Sequence, residues 1–214
     1  MVIYLLILMI YMTKRIFLIS LFLSSCQQIN WIEASGVVDV VARGIPNIKV
    51  DQDFFNEKRF SFIKISSGRY LNFTASLLSV DDGIYEWVTN EGYKIYTKNG
   101  KIIKILAQPK NSFYYQESVF NIGLNSFESN IFFSEPKALI SQFSQLGYSH
   151  DEEITYLENK LMTRVFYEKV ETEFLKWKYV NKYWVDKNSD LVLRSEQYIY
   201  PFRKPYLIDY YYKY

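Results

Sequence analysis

Hydrophobic and polar positions alternate with a period of two along most of the chain after residue 60. Successive side chains of a β-strand point to opposite faces of the sheet, so this alternation predicts strands with one face in a core. The predicted strands are 60–65, 70–80, 84–89, 93–97, 101–106, 161–170, 173–184, 191–199 and 206–212.

Short turn sequences separate these segments. Asp82-Gly83 and Asn99-Gly100 suit the positive φ angles that tight hairpin turns require. The polar run 186–190 predicts a longer hairpin loop. Strands joined by such turns form a meander, in which each strand pairs with the next one along the chain.

Helical patterns are scarce. In the segment 134–146, Ser134 could cap a short helix, and Leu139, Phe143 and Leu146 fall at helical spacing. Asp51 is a second capping residue, ahead of a single helical turn. We therefore expect one or two short helices.

Together these patterns predict a mainly β protein, with a single antiparallel meander sheet that forms a curved or partly open barrel. Aromatic residues make up 19% of the chain, which is ample apolar surface for one core of this size. We expect residues 26–214 to form a single β-rich domain, and residues 1–25 to be a signal segment.

The N-terminal segment has the order of a bacterial lipoprotein signal. Lys14-Arg15 precede an apolar run at 16–23, and Leu-Ser-Ser-Cys at 23–26 matches a lipobox. This predicts lipidation of Cys26, for example with palmitate, and an anchor in the membrane. Translation would start at Met1 or at Met12.

The alternative for this segment is a transmembrane helix, because residues 1–11 are also apolar. Lys14 and Arg15 would then lie in mid-span, at a cost of about 2.5 to 3.5 kcal/mol each. The lipoprotein signal is therefore the favoured interpretation.

Charge excludes one class of function. The chain has 25 Lys and Arg against 23 Asp and Glu, and cleavage before Cys26 removes only Lys14 and Arg15. The mature protein is then close to neutral, whereas nucleic-acid-binding domains carry a basic stripe. We expect no nucleic-acid partner, and the single cysteine excludes a disulfide within the chain.

The order of motifs resembles the YjbF/GfcB family, lipoproteins encoded with exopolysaccharide and group 4 capsule genes. The segments that carry this resemblance are 44–48, 75–78, 86–92, 96–104, 181–186, 193–197 and 208–214. The resemblance implies an accessory lipoprotein for export or assembly of a surface polysaccharide, beside an outer-membrane barrel protein. It implies no catalytic residue and no cofactor.

Localisation follows from the residue after the lipidated cysteine. An aspartate there favours retention in the inner membrane, and this chain has Gln27 instead. We therefore expect a lipid anchor in the outer membrane, with the domain facing the periplasm.

Residues suited to catalysis or metal binding are few. His150 is the only histidine, so neither a histidine-rich metal site nor a Ser-His triad is expected, and a solvated loop is the favoured position. Carboxylates occur at 81–82, at 151–153, and as Glu168 with Glu171. A glycan-cutting enzyme needs two acids facing each other across a groove, and we expect these acids to be solvated instead.

Candidate contact residues for a glycan or a partner protein are Trp87, Trp184, Arg194 and Gln197, since indole rings stack on sugars and the other two donate hydrogen bonds. Packing in the core is the favoured alternative for the tryptophans, Trp177 included, because each lies in an alternating strand. The segment 183–186 with its hairpin also resembles periplasmic lipoprotein carriers. The alternative function is therefore a lipid- or glycan-binding carrier or sensor.

Overall fold

The computed structural model describes residues 45–69, 71–106, 113–115, 125–134, 136–173 and 175–213. These residues belong to one compact unit, Ile45–Tyr214. The predicted signal segment and Cys26 lie outside the described residues.

Twelve strands account for most of the described chain, and the prediction of a mainly β fold is confirmed. The strands are β1 Phe62–Ser67, β2 Leu71–Asp81, β3 Ile84–Val88, β4 Lys94–Lys98, β5 Lys101–Leu106, β6 Phe113–Tyr115, β7 Ser126–Ser134, β8 Lys137–Tyr156, β9 Asn159–Thr172, β10 Trp177–Asp186, β11 Val192–Gln197 and β12 Tyr206–Tyr211.

The strands form one antiparallel sheet, as the meander pattern predicted. Each strand pairs with the next in sequence, and β1 also pairs with β12, so that the curved sheet closes into a barrel. At this closure Phe62 lies opposite Tyr211, and Ile65 lies opposite Ile208. Each of the twelve strands therefore has a partner on both sides.

Two tight turns form where the sequence predicted them. The turn between β2 and β3 has φ angles of 47° at Asp82 and 71° at Gly83. The turn between β4 and β5 has 49° at Asn99 and 74° at Gly100. A Cβ on Gly100 would lie 2.5 Å from Cγ1 of Val192, so this turn also brings the backbone close to β11.

The main core fills the inside of the barrel with large aromatic side chains. Trp87, Tyr183 and Tyr210 are each 0% exposed. Tyr85 stacks on Trp87 with ring centroids 5.7 Å apart, and Tyr210 meets the same indole edge to face at 6.1 Å. Side chains therefore occupy this part of the barrel interior.

The helix predicted at 134–146 is wrong, because most of this segment belongs to β8. Ile140 and Leu146 are buried, whereas Leu139 is 61% exposed and Phe143 is 41% exposed. The apolar residues at helical spacing thus lie on two faces of a strand and do not form one helical stripe.

Polar residues in the inward row of β8 explain the error. Gln142 and Ser144 are buried between Ile140 and Leu146. Because these two inward residues are polar, the hydrophobic residues of β8 do not alternate with a period of two. Gln142 donates from Nε2 to the Ser129 hydroxyl at 3.1 Å and accepts from the Tyr179 hydroxyl at 3.0 Å. These bonds offset the cost of burying the amide.

The helical turn predicted after Asp51 is confirmed as α1, Gln52–Glu57. The N–H of Phe54 donates to the Asp51 carboxylate at 3.0 Å. Phe54 and Phe55 pack against Phe62 with ring centroids 5.7 and 6.2 Å away, so α1 is held against β1. Within the described segments, no helix has the length and apolar character to cross a bilayer.

A second apolar cluster covers part of the outer face of the sheet. Ile154, near the tip of the β8–β9 hairpin, packs with Trp184 and Leu193. Tyr156 stacks on Tyr211 of β12 with centroids 5.4 Å apart. The long hairpin is thus held against the outside of β10, β11 and β12.

Candidate functional site

Glu168 of β9 is a buried carboxylate inside the barrel, with 0% of its surface exposed. Its Oε1 pairs with the ammonium group of Lys101 in β5. Its Oε2 accepts hydrogen bonds from Asn181 and from the Tyr183 hydroxyl, both at 2.8 Å. Lys101 also lies over the ring of Phe127, 5.1 Å from its centroid. These contacts connect β5, β7, β9 and β10.

The charge of Glu168 is maintained by these partners. Burial disfavours the ionised carboxylate, but the Lys101 ammonium and the hydrogen bonds from Asn181 and Tyr183 outweigh this effect, so the pKa of Glu168 lies below its ordinary value. Glu168 is therefore ionised at neutral pH and acts as an acceptor.

The prediction that Glu168 and Glu171 are both solvated is wrong for Glu168. Glu168 lies on the same inward row as Val170 and Thr172, whereas Glu171 points outward and pairs with Lys178 at 2.7 Å. The acidic residues at 81–82 and 151–153 are exposed, as predicted.

A second buried polar group is centred on the carbonyl oxygen of Gly100, next to Lys101. This oxygen accepts from the Tyr210 hydroxyl and from Gln197 Nε2, both at 2.7 Å. Gln197 also accepts from the N–H of Ile102 at 2.9 Å. Burial raises the pKa of Tyr210, so its phenol stays protonated and continues to donate.

These interior groups hold strands in place and are poorly placed for a reaction. Both carboxylate oxygens of Glu168 are engaged, and the side chain has no exposed surface for a substrate to reach. Glycoside hydrolysis requires a pair of carboxyl groups about 5 to 9.5 Å apart at a substrate groove. Glu168 does not meet this requirement.

A cavity of about 780 Å³ opens at one end of the barrel, and we call it the end cavity. Three turns form it: the β1–β2 turn, the β7–β8 turn and the β11–β12 loop. Its lining residues are Ser67, Gly68, Arg69, Leu71, Pro136, Tyr200, Pro201, Arg203, Lys204 and Tyr206.

Two sets of contacts fix the geometry of the end cavity. The ring of Tyr200 reaches into the core, 5.6 Å from Phe133 and 6.4 Å from Phe113. The Ser67 hydroxyl donates to the carbonyl oxygen of Lys204 at 3.2 Å, which joins the β1–β2 turn to the β11–β12 loop. The tyrosine side of the cavity therefore belongs to the packed barrel.

All charged residues among the described lining residues of the end cavity are positive. Arg69, Arg203 and Lys204 are cationic and exposed, and none of the other lining residues is acidic. Desolvation by burial, with a smaller contribution from Tyr200, raises the pKa of Tyr206 to about 12. Its phenol is therefore a neutral hydrogen-bond donor at physiological pH.

A further cavity of about 760 Å³ lies along β7, β8, β9 and β10 and has mixed charge. Glu128, Glu171 and Glu173 line it together with Lys176 and Lys178. Opposite charges here neutralise one another, so this cavity lacks the single sign of the end cavity.

Two of the four predicted contact residues lie inside the barrel. Trp87 is 0% exposed and donates from Nε1 to the Thr97 hydroxyl at 2.9 Å, in agreement with the core alternative. Gln197 is 1% exposed and belongs to the Gly100 group. Tyr210 packs edge to face on Trp87, and its hydroxyl donates to the same Gly100 carbonyl oxygen as Gln197. Trp87 and Gln197 are therefore structural residues in this geometry.

The other two, Trp184 and Arg194, are cross-strand neighbours on the outer face. Trp184 is 8% exposed because the β8–β9 hairpin covers it, and its Nε1 donates to Glu152 at 2.9 Å. Arg194 pairs with Asp209 at 2.6 Å and keeps about a third of its side chain exposed. Trp177 is also buried, at 9% exposure. A contact role for Arg194 stays a prediction.

His150 lies in β8, so its predicted position in a loop is wrong, although half of its side chain is exposed. Its Nε2 is 3.6 Å from a Glu152 carboxylate oxygen. Within the described ranges, no three His, Cys, Asp or Glu residues are close enough together to hold a metal ion.

Sequence reasoning missed the end cavity, although one signal was present. The run Phe202-Arg203-Lys204 is enclosed by Pro201 and Pro205 and flanked by Tyr200 and Tyr206. Two cations and two aromatics in one short loop indicate a binding surface, but its third cation comes from a turn more than a hundred residues away.

A protein-family model matches most of the chain. The model of the family described as group 4 capsule polysaccharide lipoprotein GfcB, YjbF, matches residues 61–208. This range begins one residue before β1 and ends inside β12. No curated protein matches the chain at a significant level.

Among solved structures, the hypothetical lipoprotein YmcC from Escherichia coli K12 is similar with a TM-score of 0.67 and 13% identity. The alignment covers 77% of this chain and 90% of that one, and it supports the fold alone. A protein described as a lipoprotein from Parabacteroides distasonis aligns with a TM-score of 0.36 and 12% identity, over 71% of this chain and 94% of that one.

Proposed function

Because the chain belongs to the YjbF/GfcB family of group 4 capsule polysaccharide lipoproteins, we propose that it is an outer-membrane accessory lipoprotein for capsule or exopolysaccharide export or assembly. The observation that carries this proposal is the extent of the family match. Residues 61–208 include eleven complete strands and part of β12, so the resemblance is to the whole sheet and not to one hairpin.

We further propose that the protein works by contact with a protein or a glycan and not by turnover. The packed interior supports this part of the proposal. Trp87, Tyr183 and Tyr210 fill the barrel, and Glu168 is fully engaged by its partners. A carrier that holds a lipid inside a half-barrel needs open space there, so the same packing favours docking over transport.

The proposed anchor is acylated Cys26, with the barrel facing the periplasm beside an outer-membrane barrel protein of the secretion system. Gln27 after the cysteine supports the outer membrane as the destination. Several acyl chains on one cysteine would give a stable attachment.

The anchor can be tested with two variants of the full-length protein. Cys26→Ser should abolish labelling by radioactive palmitate. Gln27→Asp should keep the label but move the protein to the inner membrane. Palmitate-free wild-type protein, or a Gln27→Asp protein that remains in the outer membrane, would contradict the proposed localisation.

The role in export can be tested by deletion and crosslinking. Deletion should lower surface polysaccharide without slowing growth, and an outer-membrane barrel protein should be recovered with the crosslinked lipoprotein. The Cys26→Ser variant serves as the control that has the same fold but lacks the anchor. Normal surface polysaccharide in the deletion strain would refute the proposed role.

A further inference from the structure

We propose that the end cavity binds an acidic segment of a glycan chain, with Arg203 and Lys204 pairing with its anionic groups and Tyr200 and Tyr206 contacting its rings. The inference rests on the proposed function for the origin of the glycan. It adds a binding site and a charge requirement for the ligand.

The positive charges of Arg203 and Lys204 are the first argument. Within the described chain, neither Arg203 nor Lys204 forms an ion pair with a carboxylate, and Arg69 adds a third cation to the same lining. The predicted mature protein is nearly neutral, so three cations around one cavity are a local concentration of charge. An Arg guanidinium binds a carboxylate or a phosphate through two parallel hydrogen bonds.

Aromatic side chains in the lining of the cavity are the second argument. Tyr200 and Tyr206 are partly exposed, and each combines an apolar ring with a hydroxyl group. Contact between Tyr200 and Phe133 fixes its ring, which lowers the entropy lost on binding. A sugar has apolar ring faces and polar edges, and this lining offers a partner for each.

The shape of the site is the third argument. A volume of about 780 Å³ falls within the range of about 300 to 1,000 Å³ that is usual for small-molecule sites. It therefore accommodates a short oligosaccharide, or one stretch of a longer chain passing over the end of the barrel.

An anionic membrane surface is the competing ligand, because Phe202 lies beside Arg203 and is 87% exposed. Half-buried tyrosine rings lie beside the cations in the same cavity, and a chain of sugar rings uses both features. The experiment must therefore distinguish binding to an anionic membrane from binding to a glycan.

Binding can be measured by isothermal titration calorimetry with the full-length protein in detergent micelles. The probes are tetragalacturonate, which is acidic, and maltotetraose, which is neutral and has the same number of sugars. We expect tetragalacturonate to bind at least about tenfold more tightly, since hydrogen bonds to charged groups are worth about 1.5 to 3 kcal/mol. Added salt should weaken this binding.

Substitutions identify the site. The double variant Arg203→Gln/Lys204→Gln should lose at least about tenfold in affinity for tetragalacturonate. Lys169→Gln, at an exposed position of β9, is the matched control and should bind like wild type. Tyr206→Phe keeps the ring and removes the hydroxyl, so it should weaken binding of both acidic and neutral probes without changing their ratio.

Three results would overturn the assignment. They are equal affinity for the two tetrasaccharides, unchanged binding by the double variant with a wild-type circular dichroism spectrum, and binding to phosphatidylglycerol vesicles with none to tetragalacturonate. For the second result, a thermal midpoint equal to that of Lys169→Gln would show that the double variant is folded.

Complementation in cells separates this inference from the proposed function. If deletion lowers surface polysaccharide and the double variant fully restores it, the cavity assignment fails and the proposed function stands. If deletion has no effect although the purified protein binds tetragalacturonate at the end cavity, the proposed function fails and the cavity assignment stands.

Discussion

Replacing Glu168 with glutamine would remove a negative charge from the barrel interior while keeping the size of the side chain. The ammonium group of Lys101 would then be buried without a counter-charge. The glutamine oxygen can still accept one or two hydrogen bonds. Its NH₂ group, however, would face one of the three donors that now surround the carboxylate, those of Lys101, Asn181 and Tyr183.

The expected cost follows from these contacts. Removing one member of a buried ion pair typically costs about 3 to 5 kcal/mol. Both groups here are at most 2% exposed, so solvent cannot relieve the remaining charge. For a protein of this size, such a loss corresponds to a fall of about 6 to 20 °C in melting temperature.

Urea titration followed by tryptophan fluorescence measures the loss, because Trp87 reports on the core. Glu171→Gln is the matched control: the same substitution in the same strand removes an exposed pair with Lys178. Its expected cost is below about 1 kcal/mol. The double variant Lys101→Met/Glu168→Gln should recover part of the stability lost in the single variant, since no unpaired ammonium remains.

The pH dependence has a defined sign. The pKa of Glu168 is lowered in the folded protein, so its contribution is present above the ordinary value of 4.5 and is lost as pH falls through the folded value. The stability advantage of wild type over Glu168→Gln should therefore be constant near neutral pH and shrink in acid. Equal costs for Glu168→Gln and Glu171→Gln, or a gap that widens in acid, would refute the reasoning.

Two paired substitutions test the turn and the strand assignment. Gly100→Ala adds a Cβ 2.5 Å from Val192, whereas Gly92→Ala meets nothing within 4 Å although φ is positive at both sites. Gly100→Ala should therefore lower the urea midpoint more, with about 1 to 3 kcal/mol of overpacking added to the shared backbone strain. Equal midpoints would show that no close approach exists at Gly100. In β8, Leu139→Glu should change the free energy of unfolding by less than about 0.5 kcal/mol, while Ile140→Glu should prevent stable folding because it buries a charge. Similar effects at both positions would argue against a strand here.

The fold was largely predictable where local chemistry determines it. Asp82-Gly83 and Asn99-Gly100 specify tight turns by their backbone preferences, and alternation on either side sets which face is buried. In β8 the alternation continues, but Gln142 takes an inward position. Its amide is satisfied by residues of β7 and β10, and that fact is not contained in the local sequence.

The candidate sites depended on long-range contacts to an even greater degree. Alternation with Val170 could have placed Glu168 inside, but its partner Lys101 is 67 residues away along the chain. The end cavity likewise combines Arg69 with Arg203 and Lys204, from turns that only the closed sheet brings together. Residue type was visible from the sequence in each case, and spatial proximity was not.

The junction of β1 with β12 has a consequence for biogenesis. Ser61 and Lys213 exchange hydrogen bonds across a separation of 152 residues, so the circle of strands cannot be completed until the C-terminal strand has been synthesised. Structures dominated by such distant pairings fold slowly. A polypeptide that crosses a membrane through a narrow channel must remain unfolded during passage, and a late-forming seam is compatible with the export that we propose for this chain.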